Sequence, residues 1–403
     1  MNSKKPDIRF VILLFVGILL LFLPAFIGYL GIFHNDQANA EFPWHYFLAR
    51  NFQKGIIPLW EPHTWCGAIP FYARYYADTY YFPLWPFYFL TEIGNLNQAY
   101  WMLSLLPLLL HYWLAALGMY VFARKGVGLR SFPAFITAWI YLFSPAFAYA
   151  YVWFPIVVVQ ALLPWALYLI VLQDRRPSGV KVLGLSVILA LMFFAAQPPH
   201  LGYSILLMIA LALTLSVRRW IRKERRRARA AVLLVFSALL ISLLLSAVYW
   251  YPCLEGTFHT EQHIEMTYEN VTGFDGSLPP LALVTLFVPT LFGSVTGIHN
   301  WGATALMIEL RFWEANLPGG LILCFLVLLG IICAFRRRID SRLRFWSFFS
   351  LGLSVFGILC VLGRHTPFYY LFFKAIPVLS QFPYPIRYRL FVCLAMAVLA
   401  GIG

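Results

Sequence analysis

Ten runs of apolar residues, most of them close to 20 long, divide this chain: 10–33, 100–123, 132–150, 156–172, 182–196, 201–217, 231–250, 317–335, 345–362 and 391–403. About 20 apolar residues in a helix cross a hydrocarbon layer about 30 Å thick. Inside that layer no water satisfies a backbone amide, so such runs must be helical. The expectation is an all-α polytopic membrane protein with about ten transmembrane helices, forming one domain over 1–403. Composition agrees, at 62% hydrophobic and 11% charged, where soluble domains carry roughly a quarter charged residues.

The net charge of +14 raises nucleic acid as a partner, but the placement of the charges argues for membrane orientation instead. Basic residues cluster in alternate connections: Lys4 to Arg9, Arg124 to Arg130, Arg175 to Lys181, Arg218 to Arg229 and Arg336 to Arg344. Those connections hold 22 of the 30 basic residues and only four acids, for +18; the opposite face holds the remaining 8 and 12, for −4. The positive side reads as cytoplasmic, which puts the N-terminus in the cytoplasm. The first run, 10–33, is longer than a signal-peptide core and has no small-x-small cleavage site after it, so it is read as retained. The last run has 13 residues, about 20 Å of helix, and no basic stop; this reads as a truncated chain or a short member of a longer family.

Two long connections fall on the outer side, 34–99 and 251–316. The first opens with Asp36 and is too polar and Pro-rich to span, yet unusually aromatic. Within it, 41–54 predicts a short helix with Pro43 near its start and Gly55 after its end. Trp44, Leu48 and Phe52 recur on one face while Arg50, Asn51, Gln53 and Lys54 take the other, which predicts an interfacial helix on the outer leaflet. Tyr72 to Tyr88 then crowd the return with rings, as an aromatic belt does. A belt leaves the nearby acids Asp36, Glu41, Glu61 and Asp78 unexplained. In the second connection, 281–293 is apolar but too short to span and reads as re-entrant or interfacial.

Glu255, His259 and His263 would share one face of a helix at i, i+4, i+8, a weak candidate for a divalent metal, against the ordinary reading of solvated loop histidines. Cys66 and Cys253 both lie outside, where a disulfide is permitted. Asn270-Val271-Thr272 matches a glycosylation sequon. No Walker loop, dinucleotide fingerprint, GxSxG or CxxC occurs. His111, inside the second run, is the clearest intramembrane ionisable group and so a functional candidate.

The chain resembles the YfhO family of bacterial membrane proteins, within the GT-C superfamily of polytopic glycosyltransferases. The matching pattern is Asp36 after the first run, Pro43-Trp44, Gly55 through Pro58-Leu59-Trp60-Glu61-Pro62, Cys66-Gly67-Ala68-Ile69-Pro70-Phe71 and Tyr81-Phe82-Pro83. It continues with Gln197-Pro198-Pro199-His200, Phe312-Trp313-Glu314-Ala315-Asn316, Leu362-Gly363-Arg364-His365-Thr366-Pro367 and Gln381 to Arg387, in order along the chain. Glu61 and Pro383 depart from it, standing where the family often has Asn and Arg.

The resemblance implies a GT-C-like bundle with its active site in the first outer loop. It also implies transfer of a sugar from a polyprenyl-phosphate carrier to an extracytoplasmic glycan or lipid acceptor at the cell envelope. The residues suit that chemistry. A hydroxyl acceptor needs a carboxylate base, for which Asp36 is the candidate and Glu41 the reserve. The leaving lipid phosphate needs cations, and Arg311, Arg364, Arg387 and Arg389 are on the right face. Sugar faces stack on rings, here Trp44, Trp60, Trp65 and Tyr81. Each arginine and ring has the ordinary alternative of a headgroup-level anchor. Two other functions fit the same features: a transporter or flippase of a lipid-linked saccharide, and a non-catalytic membrane partner of a glycosyltransferase.

Overall fold

The computed structural model describes residues 7–28, 36–63, 67, 78–195, 197–259, 267–273, 276–293, 316–336, 339–376 and 384–403. Among them every regular element is helical. The principal helices are α1 (Ile8–Phe26), α2 (Phe42–Phe52), α3 (Leu96–Val127), α4 (Ser131–Leu142), α5 (Phe154–Arg175), α6 (Gly179–Phe194), α7 (Pro198–Ile221), α8 (Ala230–Leu245), α9 (Ala247–His259), α10 (Leu321–Phe335), α11 (Ser341–Val361) and α12 (Pro385–Ile402). Six of these, α1, α3, α5, α7, α11 and α12, are long and apolar enough to cross a membrane, or seven if α8 and α9, bent by 74° at their junction, count as one broken span. The three shorter apolar helices, α4, α6 and α10, fall on the remaining apolar runs. The chain is a helical membrane protein.

Local sequence sets the helix ends. Asn95 caps α3, its side chain accepting from the Gln98 amide at 3.2 Å, one of the four amides a helix start leaves unpaired. The same helix stops at Gly128, whose φ of 103° is the left-handed conformation that glycine adopts without a Cβ penalty. Its amide donates back to the Ala123 carbonyl at 2.9 Å. Pro198 and Pro199 open α7, where missing amides cost nothing.

α1 and α12 show how differently two apolar helices can be used. Only 22% of the α1 window is buried within the protein, against 89% for α12. Small residues make the second case possible, because apolar helices gain by packing only where backbones approach closely. A Cβ on Gly330 of α10 would lie 2.2 Å from the Leu399 carbonyl oxygen of α12, and one on Gly401 would meet the Thr137 hydroxyl of α4. The final apolar run is therefore the centre of a helix cluster, with α10, α11 and α4 around it.

The 281–293 piece does not span. It forms a 3-10 turn over Pro280–Leu286, followed by further turns. The 41–54 stretch is a π turn over Gln37–Glu41 running into α2. Trp44, Leu48 and Phe52 do share a face, but it is buried in protein rather than laid on lipid.

The bundle has two chemically distinct ends. Arg175 and Arg342 both donate to the Lys125 and Gly126 carbonyls at the end of α3, and Arg219 pairs with Asp174. The Asp7 amide, just before α1, donates to the Tyr120 hydroxyl at 3.1 Å, so α1 starts at this basic end. Asp36, Glu41 and Asp78 gather at the other.

Candidate functional site

The acidic end is built around the first turn of α5. Phe154 begins that helix, so its amide has no helical acceptor; the Glu41 carboxylate, 113 residues away in sequence, accepts it at 2.8 Å. Gln37, one turn before Glu41, donates from its side chain to the Tyr151 carbonyl. The segment 37–41 is thereby fixed to the loop that leads into α5.

Glu41 and His45 are one helical turn apart and both buried. His45 Nε2 lies 3.5 Å from an Asp78 carboxylate oxygen, and its Nδ1 lies 3.3 Å from the Leu103 carbonyl. Pro107 has no amide hydrogen, so the Leu103 carbonyl lacks an i+4 helical donor and is open to an imidazole. A carbonyl can only accept, which puts a proton on Nδ1. His45 Nε2 is the edge of the ring turned to Asp78, whose carboxylate oxygens make no hydrogen bond among the described residues. One turn further along α3, His111 Nδ1 faces the Pro107 carbonyl at 2.7 Å and Nε2 faces the Tyr81 hydroxyl at 2.8 Å. The same reasoning puts a proton on His111 Nδ1; while the ring is neutral, its Nε2 accepts from the Tyr81 hydroxyl. Phe154 fills the space between these relays, its ring edge-on to His111 at 4.9 Å and to His45 at 6.1 Å.

Burial controls the charge here. Asp78 is 1% exposed, at a φ of 46°, and among the described residues its only polar partner is His45. Loss of water pushes its carboxyl from an ordinary 3.8 up to about 6, with His45 opposing. Glu41 is pushed well above the usual carboxylate range, chiefly by burial and then by the negative Asp78 and Asp36 nearby, with only the Phe154 amide opposing. Glu41 is thus a buried helix cap whose carboxyl holds its proton more tightly than an exposed one does. Beside this group is a cavity of about 10 Å³, room for one water. Asp36 is half-buried at the rim, and its carboxylate makes no hydrogen bond or ion pair among the described residues.

The remaining candidates from the sequence divide. Trp44 and Tyr81 are buried and offer no open ring face, whereas Trp60 is 59% exposed, its indole N–H donating to the Gly67 carbonyl at 3.0 Å. Arg364 is exposed and Arg387 half-buried, its guanidinium 5.0 Å from the centre of the Tyr384 ring. Residues 276–278 tie these two together: the Arg364 amide donates to Ser277 Oγ and the Ile386 amide to the Gly276 carbonyl. Arg389 is buried at the start of α12, which packs on Pro145–Ala148 before the Tyr151–Phe154 turn.

Trp65, Arg311 and His263 lie outside the described residues, as does Cys66, the partner expected for the half-buried Cys253. Glu255 and His259 fall one turn apart on α9. Among the described residues no three His, Cys, Asp or Glu side chains gather to hold a metal.

Sequence reasoning left His45 and the role of Asp78 unassigned. The signal for His45 was its i+4 spacing from Glu41; nothing local marks Asp78 as its partner.

A cavity of about 860 Å³ opens between α4 and α10 beside Pro145, Ala148 and Tyr149, next to the loop that carries Tyr151. These features define a membrane protein with a buried acid–histidine cluster at one end. Comparison with family models, curated proteins and solved structures gives no match.

Proposed function

We propose that this protein is a membrane glycosyltransferase of YfhO type, moving a sugar from a polyprenyl-phosphate carrier to an extracytoplasmic glycan or lipid by direct displacement. In this reading the bundle is GT-C-like, with about ten spans once α4, α6 and α10 are counted. It sits in the plasma membrane of a bacterium with the N-terminus cytoplasmic and the acidic end outside.

The observation that carries the reading is the half-buried Asp36 carboxylate, which makes no hydrogen bond or ion pair among the described residues and lies beside a buried acid–histidine cluster. An acceptor hydroxyl attacks the anomeric carbon as the bond from that carbon to the phosphate oxygen breaks. The hydroxyl proton passes to Asp36, and the lipid phosphate leaves with the electron pair. Arg364 and Arg387 at the same end suit the leaving phosphate, the exposed Trp60 ring suits a sugar face, and the 860 Å³ cavity suits the isoprenoid chain. No metal is required by this scheme.

The test is sugar transfer from a radiolabelled polyprenyl-phosphate sugar by purified protein. Wild type and Glu41→Gln are expected to transfer, because the amide still accepts from the Phe154 amide; Asp36→Asn is expected to lose transfer while remaining folded. Equal transfer by wild type and Asp36→Asn would remove Asp36 as base.

The His45–Asp78 and His111–Tyr81 relays specifically favour a second reading, a proton-linked transporter or flippase of a lipid-linked saccharide. Lipid-linked saccharide flipping in vesicles that fails in Asp78→Asn but survives in Asp36→Asn would select it.

A further inference from the structure

The proposed chemistry leaves the basic end of the bundle unused. Five arginines, Arg175, Arg218, Arg219, Arg222 and Arg342, line a cavity of about 170 Å³ together with Asp174. Arg219 is neutralised twice, by Asp174 and by Glu224, each at 2.8 Å. Arg175 and Arg342 spend hydrogen bonds on the neutral carbonyls of Lys125 and Gly126, and the carboxylates that act on them, Asp174 and Asp340, do so without a contact ion pair. Arg218 rests over the Phe345 ring at 4.4 Å, and Arg222 is exposed. Among the described residues none of these four has a carboxylate within ion-pairing distance. Four positive charges around one small cavity repel one another, and a multivalent anion relieves that repulsion with charge-assisted bonds.

Phe345 has a second role. It also lines an apolar groove of about 580 Å³ between α7 and α11, whose wall includes Leu206, Ala210, Phe349, Leu353 and Phe356. From Phe345 to Phe356 the groove follows α11 for roughly 16 Å at 1.5 Å per residue. Cationic cavity and apolar groove are therefore one continuous surface, joined where Arg218 stacks on Phe345.

We infer that this surface holds an anionic phospholipid, its phosphate among Arg175, Arg218, Arg222 and Arg342 and an acyl chain in the groove between α7 and α11. Basic pockets between transmembrane helices take such headgroups. A free phosphate would use the cavity and leave the groove without purpose. The sugar donor is not the occupant: Phe154 and Asp174 stand at opposite ends of α5, roughly 30 Å apart, so a phosphate here cannot reach Asp36.

The test uses the full chain in neutral detergent, titrated with phosphatidylglycerol, phosphatidylcholine or inorganic phosphate, with binding read by native mass spectrometry and thermal shift. Phosphatidylglycerol is expected to bind and to raise the melting temperature, and phosphatidylcholine to do neither. Arg218→Gln with Arg222→Gln removes two cations that make no structural hydrogen bond and is expected to weaken phosphatidylglycerol about thirty-fold. Arg225→Gln with Arg229→Gln, the same charge change outside the cavity, is expected to leave it unchanged. Ala210→Phe, which fills the groove, is expected to weaken the lipid and spare inorganic phosphate. Equal weakening by both arginine pairs, or none by either, overturns the site. Stabilisation by inorganic phosphate that matches the lipid, with Ala210→Phe silent, makes it a soluble-anion site and overturns the lipid.

Discussion

The two ends of α5 handle buried charge in opposite ways. At its C-terminal end Asp174 is met squarely by Arg219, with hydrogen bonds of 2.8 Å to each carboxylate oxygen, and the Arg175 guanidinium caps two carbonyls at 2.7 Å. At its N-terminal end Asp78 is as deeply buried, yet its nearest partner is an imidazole at 3.5 Å, and burial raises the Glu41 carboxyl well above its ordinary range. A satisfied network rigidifies a fold, whereas an incompletely satisfied one leaves protonation states poised for use. The contrast between the Arg219–Asp174 pair and the Asp78 site accords with the proposal that the chemistry lies at the acidic end.

The sharpest way to break that assignment is the Asp36→Asn assay, where loss of a general base is expected to lower transfer by about a hundred-fold or more with unfolding unchanged. Next in size is Arg219→Ala, which strands Asp174 in a mostly buried position. Thermal unfolding in detergent is expected to show a loss of about 3 kcal/mol, largely recovered when Asp174→Asn is added.

A pH series then sharpens the other end. The Asp78 carboxyl titrates higher in the folded state, at about 6 against an ordinary 3.8, so the folded protein holds its proton more tightly. Its contribution is full below about pH 4 and is lost as pH rises through 6, by roughly 2–3 kcal/mol. The melting temperature is expected to be higher at pH 5 than at pH 8. Asp78→Asn is expected to flatten that slope, with Glu41, shifted in the same direction, keeping the remainder. The smallest effect is Tyr81→Phe, which leaves His111 Nε2 without its donor and is expected to cost about 1 kcal/mol. An effect larger than that of Arg219→Ala would reverse the comparison.

The regular elements were largely legible. Apolar runs located the helices, and Pro43 and Gly55 marked where α2 begins and ends, because backbone dihedrals and missing amides act locally. The apolar face of α2 was legible too, through Trp44, Leu48 and Phe52. What that face meets was not, since a 3.6-residue period records only that one side avoids water. Trp44 and Tyr81 looked like open stacking platforms and are core instead. Asp36 and Glu41, five residues apart in one loop, read as candidate base and reserve, and the structure separates them because Glu41 accepts from the Phe154 amide at the start of α5.

Sequence alone determined that this chain is a helical membrane protein with its basic residues gathered on alternate connections. Solvation of backbone and charge is a local matter, and a lipid interior penalises both. Only the tertiary structure decided that α1 is a peripheral helix and α12 a central one, since lipid and protein interiors are equally apolar and close backbone approach is read only in three dimensions. Only it decided which carboxyls are buried away from water. That depends on groups as distant in sequence as Phe154 from Glu41, and burial by remote elements sets a carboxyl's charge more strongly than its neighbours in the chain do.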